Sequence, residues 1–347
     1  MKRLRARPGI GAALLAAALF GAGTPVAKQL LADVGPWMLA ALLYLGSGLG
    51  LTLLRRVRGA PALHLPTRER FWLAGAVLAG GGIAPVLLML GLTRLPASDT
   101  SLLLNAEGVF TALLAWFAFR ENFDRRVAAG MLAIVAGAVL LSWPGEARFD
   151  AARPALAVLG ACLAWALDNN LTRKVALGDA TAIAAVKGLA AGAVNLAIAL
   201  ALGDALPPWP ALSGALVLGF AAYGISLVLF VVALRHLGTA RTGAYFSVAP
   251  FFGALLALVW LGEPPSAPLL GAGALMALGI WLHLSERHVH EHVHEAIEHE
   301  HEHEHDAHHA HEHGGAATPV RHSHPHRHAP LRHSHAHFPD AHHRHRH

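Results

Sequence analysis

The chain has 347 residues, 54% of them hydrophobic and only 14% charged, with a mean hydropathy of +0.45 and a formal net charge of +5. A soluble domain carries about 25% charged residues, so an ordinary water-soluble fold is excluded. The single cysteine, Cys162, excludes a disulfide framework and a thiolate zinc site, since each needs several thiols.

Ten apolar runs are long enough to cross about 30 Å of hydrocarbon at about 1.5 Å per helical residue. In chain order they fall near 9–31, 36–54, 71–92, 98–119, 127–143, 154–172, 180–203, 210–234, 242–261 and 266–284. Turn residues separate them, as in Asp33 to Pro36, Pro66 to Arg70, Pro207 to Pro210 and Glu263 to Pro268. The basic head and apolar body of the first run resemble a signal peptide, but nine further runs make it a retained first helix. Counted by alternate loops, 16 Lys/Arg fall on the N-terminal side and three on the other, namely Arg94, Arg148 and Arg153. That asymmetry predicts cytoplasmic termini and a multi-pass protein of the bacterial inner membrane. It also accounts for the basic excess without nucleic acid as a partner. Gly and Ala recur in the spans, as in GAGTPVA and GAGALMALG, where small residues let helix backbones approach closely.

Sliding the chain by 142 residues aligns Leu95 with Leu237, the ALLA of 112–115 with the ALLA of 254–257, Glu121 with Glu263, and Gly137 with Gly279. A shift of 145 pairs Phe20 with Trp165 and Lys28 with Arg173. Each unit holds five spans, an odd number, so the second unit enters from the opposite side. The predicted fold is an all-α integral membrane protein: five helices in 1–143, an inverted repeat of five in 154–284, and a disordered tail over 285–347. Inverted repeats belong to secondary transporters, whose site lies near the midplane where the halves meet.

The run LLLNAEGVFTALLAWFAFRENFD at 102–124, matched loosely by YFSVAPFFGALLALVWLGE at 245–263, resembles the EamA-type drug/metabolite transporters. The resemblance covers residues 9–284. It implies a ten-helix, 5+5 inverted-repeat carrier of the bacterial inner membrane that moves small metabolites, often outward. Gly108 stands where many members carry the proline seen here as Pro250, and the tail is outside the family pattern.

An ionisable group in hydrocarbon costs about 2.5 to 3.5 kcal/mol on insertion scales, so each should be paired, snorkelled or functional. Glu107 falls near the midplane of the fourth span. It reads as a proton- or cation-coupling carboxylate, as a contact for a substrate ammonium, or as a structural partner of Lys187 or Lys28, with Asn105 as a polar neighbour. Lys187 lies one to two turns into the seventh span. Asp168, Asn169 and Asn170 near the inner end of the sixth read equally as a gate or as a polar helix end. Trp165 is expected to pack, or to stack on a ligand. Lys28 is close enough to the outer end of its span to snorkel, and Pro25 and Pro250 read as kinks that free backbone carbonyls. No enzyme motif is present: H-E-x-x-H, the P-loop and G-x-S-x-G are all missing.

After Ser285 the composition breaks, with 23 histidines in the last 63 residues. His288, His290, His292, His294, His299, His301, His303, His305, His308, His309, His311 and His313 recur mostly at every second residue, a pattern suited to zinc or nickel on neutral imidazole. The same composition reads also as an inert low-complexity tail, or as a charge that switches on protonation near pH 6. No cofactor is required by the span region. The expected function is export of a small polar metabolite, amino-acid-like or drug-like, by alternating access. The alternatives are a divalent-metal carrier that uses the tail as collector or sensor, and a membrane-anchored metal store. The sequence leaves the oligomeric state open.

Overall fold

The computed structural model describes residues 8–60, 67–119, 125–142, 149–172, 175, 179–237, 245–284, 289–294, 298–303, 322–327 and 331–336. The chain divides into two units, Met1–Glu286 and Arg287–His347.

The first unit holds ten helical segments among the described residues. They are α1 (Pro8–Leu30), α2 (Pro36–Val57), α3 (Thr67–Ala76, a π-helical stretch Val77–Ile83, then Ala84–Leu92) and α4 (Ala97–Leu103, a turn, then Ala106–Phe119). Next come α5 (Arg125–Ser142), α6 (Phe149–Thr172), α7 (Ala180–Ala201) and α8 (Trp209–Leu218, a π-helical stretch Gly219–Ile225, then Ser226–Leu237). The last are α9 (Ala249–Trp260) and α10 (Ala267–Leu284). Six of these run long and apolar enough to cross a membrane in one piece, and shorter apolar helices lie within α5, α9 and α10. The outer surface is itself apolar. Phe71, Val217 and Val259 are 77%, 67% and 75% exposed, the inverse of a water-soluble surface and a fit to lipid.

The second half follows the schedule of the first. The helices α2 and α7 are both 22 residues long, begin 144 residues apart and end at glycines of positive φ, Gly59 at 62° and Gly203 at 90°. Such a glycine ends a helix without the Cβ clash that other residues meet there. The helices α5 and α10 correspond residue for residue at a shift of 142, and so do the two π-helical stretches. Packing repeats in the same way: α2 lies on α7, α5 on α10, α1 on α8 and α9, and α6 on α3 and α4.

Small residues set the crossings. A Cβ on Gly188 of α7 would sit 2.7 Å from the Gly48 nitrogen of α2, and one on Gly279 of α10 would sit 2.6 Å from the Gly130 carbonyl of α5. Backbones meet there, the closest packing open to helices that no hydrophobic effect drives together. The buried core runs through these contacts and includes Met38, Leu43, Leu88, Met89, Leu103, Val158 and Met276.

Two spans that hydropathy reads as continuous are interrupted. The fourth breaks at Leu104 and Asn105 and the ninth at Ser247 and Val248. Pro250 therefore stands in the first turn of α9 and not inside a kinked span. The first turn suits proline because its missing N–H has no helical partner there. Gly108 in place of proline does not remove the matching break in α4, where the Asn105 amide takes the Leu102 carbonyl at 3.0 Å. Pro25 does lie inside its helix, α1. Opposite the freed turn, Gly253 of α9 packs so closely that a Cβ would lie 2.7 Å from the Gly21 carbonyl.

In the second unit, where composition predicts no regular element, four six-residue strands pair antiparallel. They are β1 (Val289–His294) with β4 (Leu331–Ala336), and β2 (Glu298–His303) with β3 (His322–Arg327). Alternating H-x-H-x sequence has the period of a strand, although an isolated two-stranded pair is marginal in water.

Candidate functional site

Several polar side chains of the spans gather around one stripe of α6. Trp165, Asp168, Asn169 and Thr172 are spaced 3, 1 and 3 residues apart, so they share a helix face that neighbouring helices can reach. The Asp168 carboxylate accepts from Lys187 of α7 at 2.5 and 2.7 Å and from the Thr172 hydroxyl one turn on at 2.8 Å. Lys187 also reaches the Thr172 oxygen at 3.2 Å. Asp168 is 6% exposed, and a charge so placed is tolerable because it is paired and hydrogen-bonded.

Glu107 of α4 takes neither of the partners that the sequence offered it. Lys187 goes to Asp168, while Lys28 donates to the Leu92 and Leu95 carbonyls at 2.5 and 2.8 Å at the C-terminal end of α3. Among the described residues, the Glu107 carboxylate accepts from a neutral donor, the Asn169 amide, at 2.8 Å. The same amide touches the Thr111 hydroxyl at 3.3 Å, one turn along α4. Asn170 is turned to backbone, donating to Ala166 at 2.9 Å and to the Thr111 carbonyl at 3.3 Å. Asn105 stays apart, between the Leu102 carbonyl and the Met276 sulfur at 3.6 Å.

Trp165 packs and also bonds. Its indole N–H donates to the Gly80 carbonyl at 2.9 Å, and the Tyr44 hydroxyl, 3.3 Å away, donates to the same carbonyl at 2.5 Å. From Tyr44 a file of rings continues to Phe230. Tyr44 lies 5.7 Å from Tyr223, Tyr223 5.8 Å from Phe20, Phe20 5.5 Å from Phe246, and Phe246 4.9 Å from Phe230. Tyr44, Tyr223, Thr111, Thr172 and Asn195 were missed in the sequence. Asn195, a fully buried amide inside an apolar span, carries the same signal that marked Glu107.

Glu263 follows α9 and reaches the start of α4, where its two carboxylate oxygens accept the Ala97 and Ser98 N–H groups at 2.7 and 2.9 Å. It thereby caps a helix N-terminus far away in sequence, where an anion is favoured. With Lys28 on the carbonyls ending α3, the α3–α4 corner is held at both helix ends. At another edge Arg55 pairs with Asp179, whose carboxylate also caps α7 through Thr181 and Ala182. Partial burial pushes the Asp179 carboxyl up, but bonds from Arg55 and the two N–H groups, with the Arg55 charge, leave it below the usual carboxylate value.

Of the tail histidines, His290, His292, His294, His299, His301 and His303 lie on described strand backbone. His288, His305, His308, His309, His311 and His313 lie outside the described residues, as does Glu121. Among the described residues, no three His, Cys, Asp or Glu side chains come together as a metal site.

The profile of the EamA-like transporter family matches twice, at residues 7–143 and again at 152–285. The chain belongs to the EamA-like transporter family. It is thus a multi-pass membrane transporter, with lipid around it and a small molecule as cargo. An uncharacterized transporter of Methanothermobacter thermautotrophicus is 29% identical over 287 residues, which cover 78% of this chain and 84% of that protein. A probable terminal-alkyne amino-acid exporter of Streptantibioticus cattleyicolor is 30% identical over 201 residues, 57% of this chain and 67% of its own length. A solved crystal structure shares the fold at a TM-score of 0.60 and 21% identity, over 80% of this chain and 96% of the other.

Proposed function

We propose that this EamA-like transporter exports a small polar metabolite bearing an ammonium group, amino-acid-like or drug-like, across the bacterial inner membrane by alternating access of two inverted repeats. The observation that carries the reading is Glu107, a carboxylate at mid-span whose bond among the described residues is to a neutral amide while the adjacent Asp168 is already neutralised by Lys187. A carboxylate left so in low dielectric favours a visiting cation, either the cargo's ammonium or a coupling proton. The ring file from Tyr44 to Phe230 supplies faces against which an apolar body and a cation both rest well. The twofold family match supports the repeat, its five-helix unit supports the inversion, and the Lys/Arg asymmetry supports cytoplasmic termini. The amino-acid exporter among its relatives supports the cargo class.

The test is flux in proteoliposomes over a panel of amino acids and primary amines, with Glu107→Gln beside the wild type. A hydrogen bond to a charged group contributes about 1.5 to 3 kcal/mol, so the variant should bind its cargo roughly ten- to a hundredfold more weakly at normal abundance. Unchanged flux in a well-folded variant overturns the role of Glu107.

The tail reads as a cytoplasmic metal binder, taking zinc or nickel on histidine. Its composition supports this, and so does a strand register that sets His299 opposite His326, His301 opposite His324 and His303 opposite His322. Deleting residues 285–347 should leave metabolite flux intact and abolish zinc binding, measured by titration calorimetry on the full chain. Binding should weaken as pH falls through about 6.5, because protons compete for the same nitrogens. Loss of all flux on deletion would place the tail inside the transport mechanism.

A further inference from the structure

The two π-helical stretches occupy matching places, in α3 and α8, and each closes with an N–H that reaches back five residues. Ala84 bonds to Ala79 and Ser226 bonds to Ala221. Such stretches are rare and gather at functional positions. Their surroundings match as well, since α6 and α7 flank the first while α1 and α2 flank the second.

They are held by different means. In α3 the next residue is Pro85, which has no N–H. The Gly81 carbonyl thereby loses the partner of an α-helix, four residues on, and the Gly80 carbonyl loses that of a π-helix, five residues on. Side chains fill both places. Tyr44 and Trp165 donate to Gly80 at 2.5 and 2.9 Å, and the Asn195 amide donates to Gly81 at 2.9 Å. All three donors are buried, Asn195 completely. Two glycines make the approach possible: a Cβ on Gly80 would strike the Asp168 carboxylate, and one on Gly81 would strike Ala191 and the Tyr44 ring. In α8 the residue matching Pro85 is Leu227, which keeps its N–H. The residues matching Tyr44, Trp165 and Asn195 are Gly188, Phe20 and Leu51, and none has a side-chain donor. Among the described residues, no side chain donates to a carbonyl of the α8 stretch.

We propose that the two stretches have unequal roles in transport: the α3 stretch is a fixed pivot locked by Tyr44, Trp165 and Asn195, and the α8 stretch is the hinge that moves. The inference rests on the alternating-access reading above. Shifting the α3 stretch would draw Gly80 and Gly81 away from their buried donors, and because Pro85 has no N–H an α register leaves Gly81, and a π register Gly80, without a helical partner; buried backbone groups are rarely left so. The α8 stretch carries a full set of N–H groups, so its bonds re-form inside the helix as it passes between π and α. The pivot also sits against the polar cluster. Trp165, Asp168 and Asn169 follow one another on α6, so a fixed Gly80 keeps the carboxylate–lysine pair and the amide on Glu107 in register.

Hydrogen exchange read by mass spectrometry on the full chain in lipid nanodiscs tests this. In the wild type, amides of 77–83 should exchange at least roughly tenfold more slowly than those of 219–225. The double substitution Trp165→Phe with Asn195→Leu gives α3 the residues found at the matching places. It should bring the two rates together while α5 and α10 stay unchanged, and it should slow flux. Tyr44→Phe, a milder change, should move 77–83 in the same direction by a smaller factor. Equal rates in a wild type that transports would overturn the pivot and leave the transport reading standing; so would a rate over 77–83 that none of these substitutions moves. A wild type that shows the contrast but moves no amino acid or amine would overturn the transport reading instead.

Discussion

The two halves share a scaffold and differ in chemistry. Helix lengths, terminal glycines and packing partners correspond across shifts of 142 to 145 residues. Yet Glu107, Trp165, Asp168, Lys187 and Asn195 correspond to Ala249, Phe20, Gly23, Leu43 and Leu51. One set of crossings therefore holds a polar network and its counterpart holds apolar and aromatic groups. The scaffold depends on small residues where backbones meet, a requirement both halves satisfy. The network depends on a few residues, Glu107 from the first half and Trp165, Asp168, Lys187 and Asn195 from the second, whose counterparts in the opposite half are apolar or glycine.

The largest test of that difference replaces matched residues in the two halves. Lys187→Met leaves Asp168 buried and unpaired, which should cost about 3 to 5 kcal/mol, while Leu43→Met, at the corresponding place, should cost less than about 1.5 kcal/mol. Melting temperature and yield after detergent extraction would show the contrast, and adding Asp168→Asn to the lysine variant should recover much of the loss. Equal destabilisation at the two positions would mean that the ion pair contributes nothing specific.

A smaller effect probes the shared scaffold. A methyl on Gly188 meets Gly48 backbone, so Gly188→Ala should lower stability by about 1 to 3 kcal/mol through overpacking at the α2–α7 crossing. Nothing lies within 4 Å of a Cβ on Gly108, and Gly108→Ala should fold as the wild type does. Thermal unfolding of the two variants side by side decides whether close approach or helix propensity governs these glycines.

The smallest effect lies at the helix caps. The N-cap of α7 is Asp179, while the corresponding N-cap of α2 is Gly35, which has no side chain to offer. Because the Asp179 carboxyl is held below its ordinary value, its contribution is present above about pH 4 and is lost as pH falls through the lowered value. The group is 43% exposed, so water screens the Arg55 pair and the effect should not exceed about 1 kcal/mol. Unfolding curves of Asp179→Asn and wild type should differ slightly at pH 7 and converge in acid. A gap that widened in acid would contradict the sign.

What the sequence determined by itself is what hydrocarbon imposes locally. A span needs about 20 apolar residues, so ten segments, the family motif at 102–124 and the 142-residue shift could all be read without a structure. The expense of a mid-span carboxylate marked Glu107 for the same reason. Partnership was another matter. Lys187 stood open to Glu107 on sequence grounds and was taken by Asp168, because the packing of α6 and α7 against the π-helical stretch of α3 decides which side chains face each other. Lys28, read as snorkelling, instead holds the last carbonyls of α3. The π-helical stretches and the breaks in α4 and α9 were invisible to hydropathy, which counts apolar atoms and ignores hydrogen-bond register. Pro85 was legible as a missing N–H, but the three buried donors that answer it come from residues 44, 165 and 195, and only the packed helices bring them to one turn.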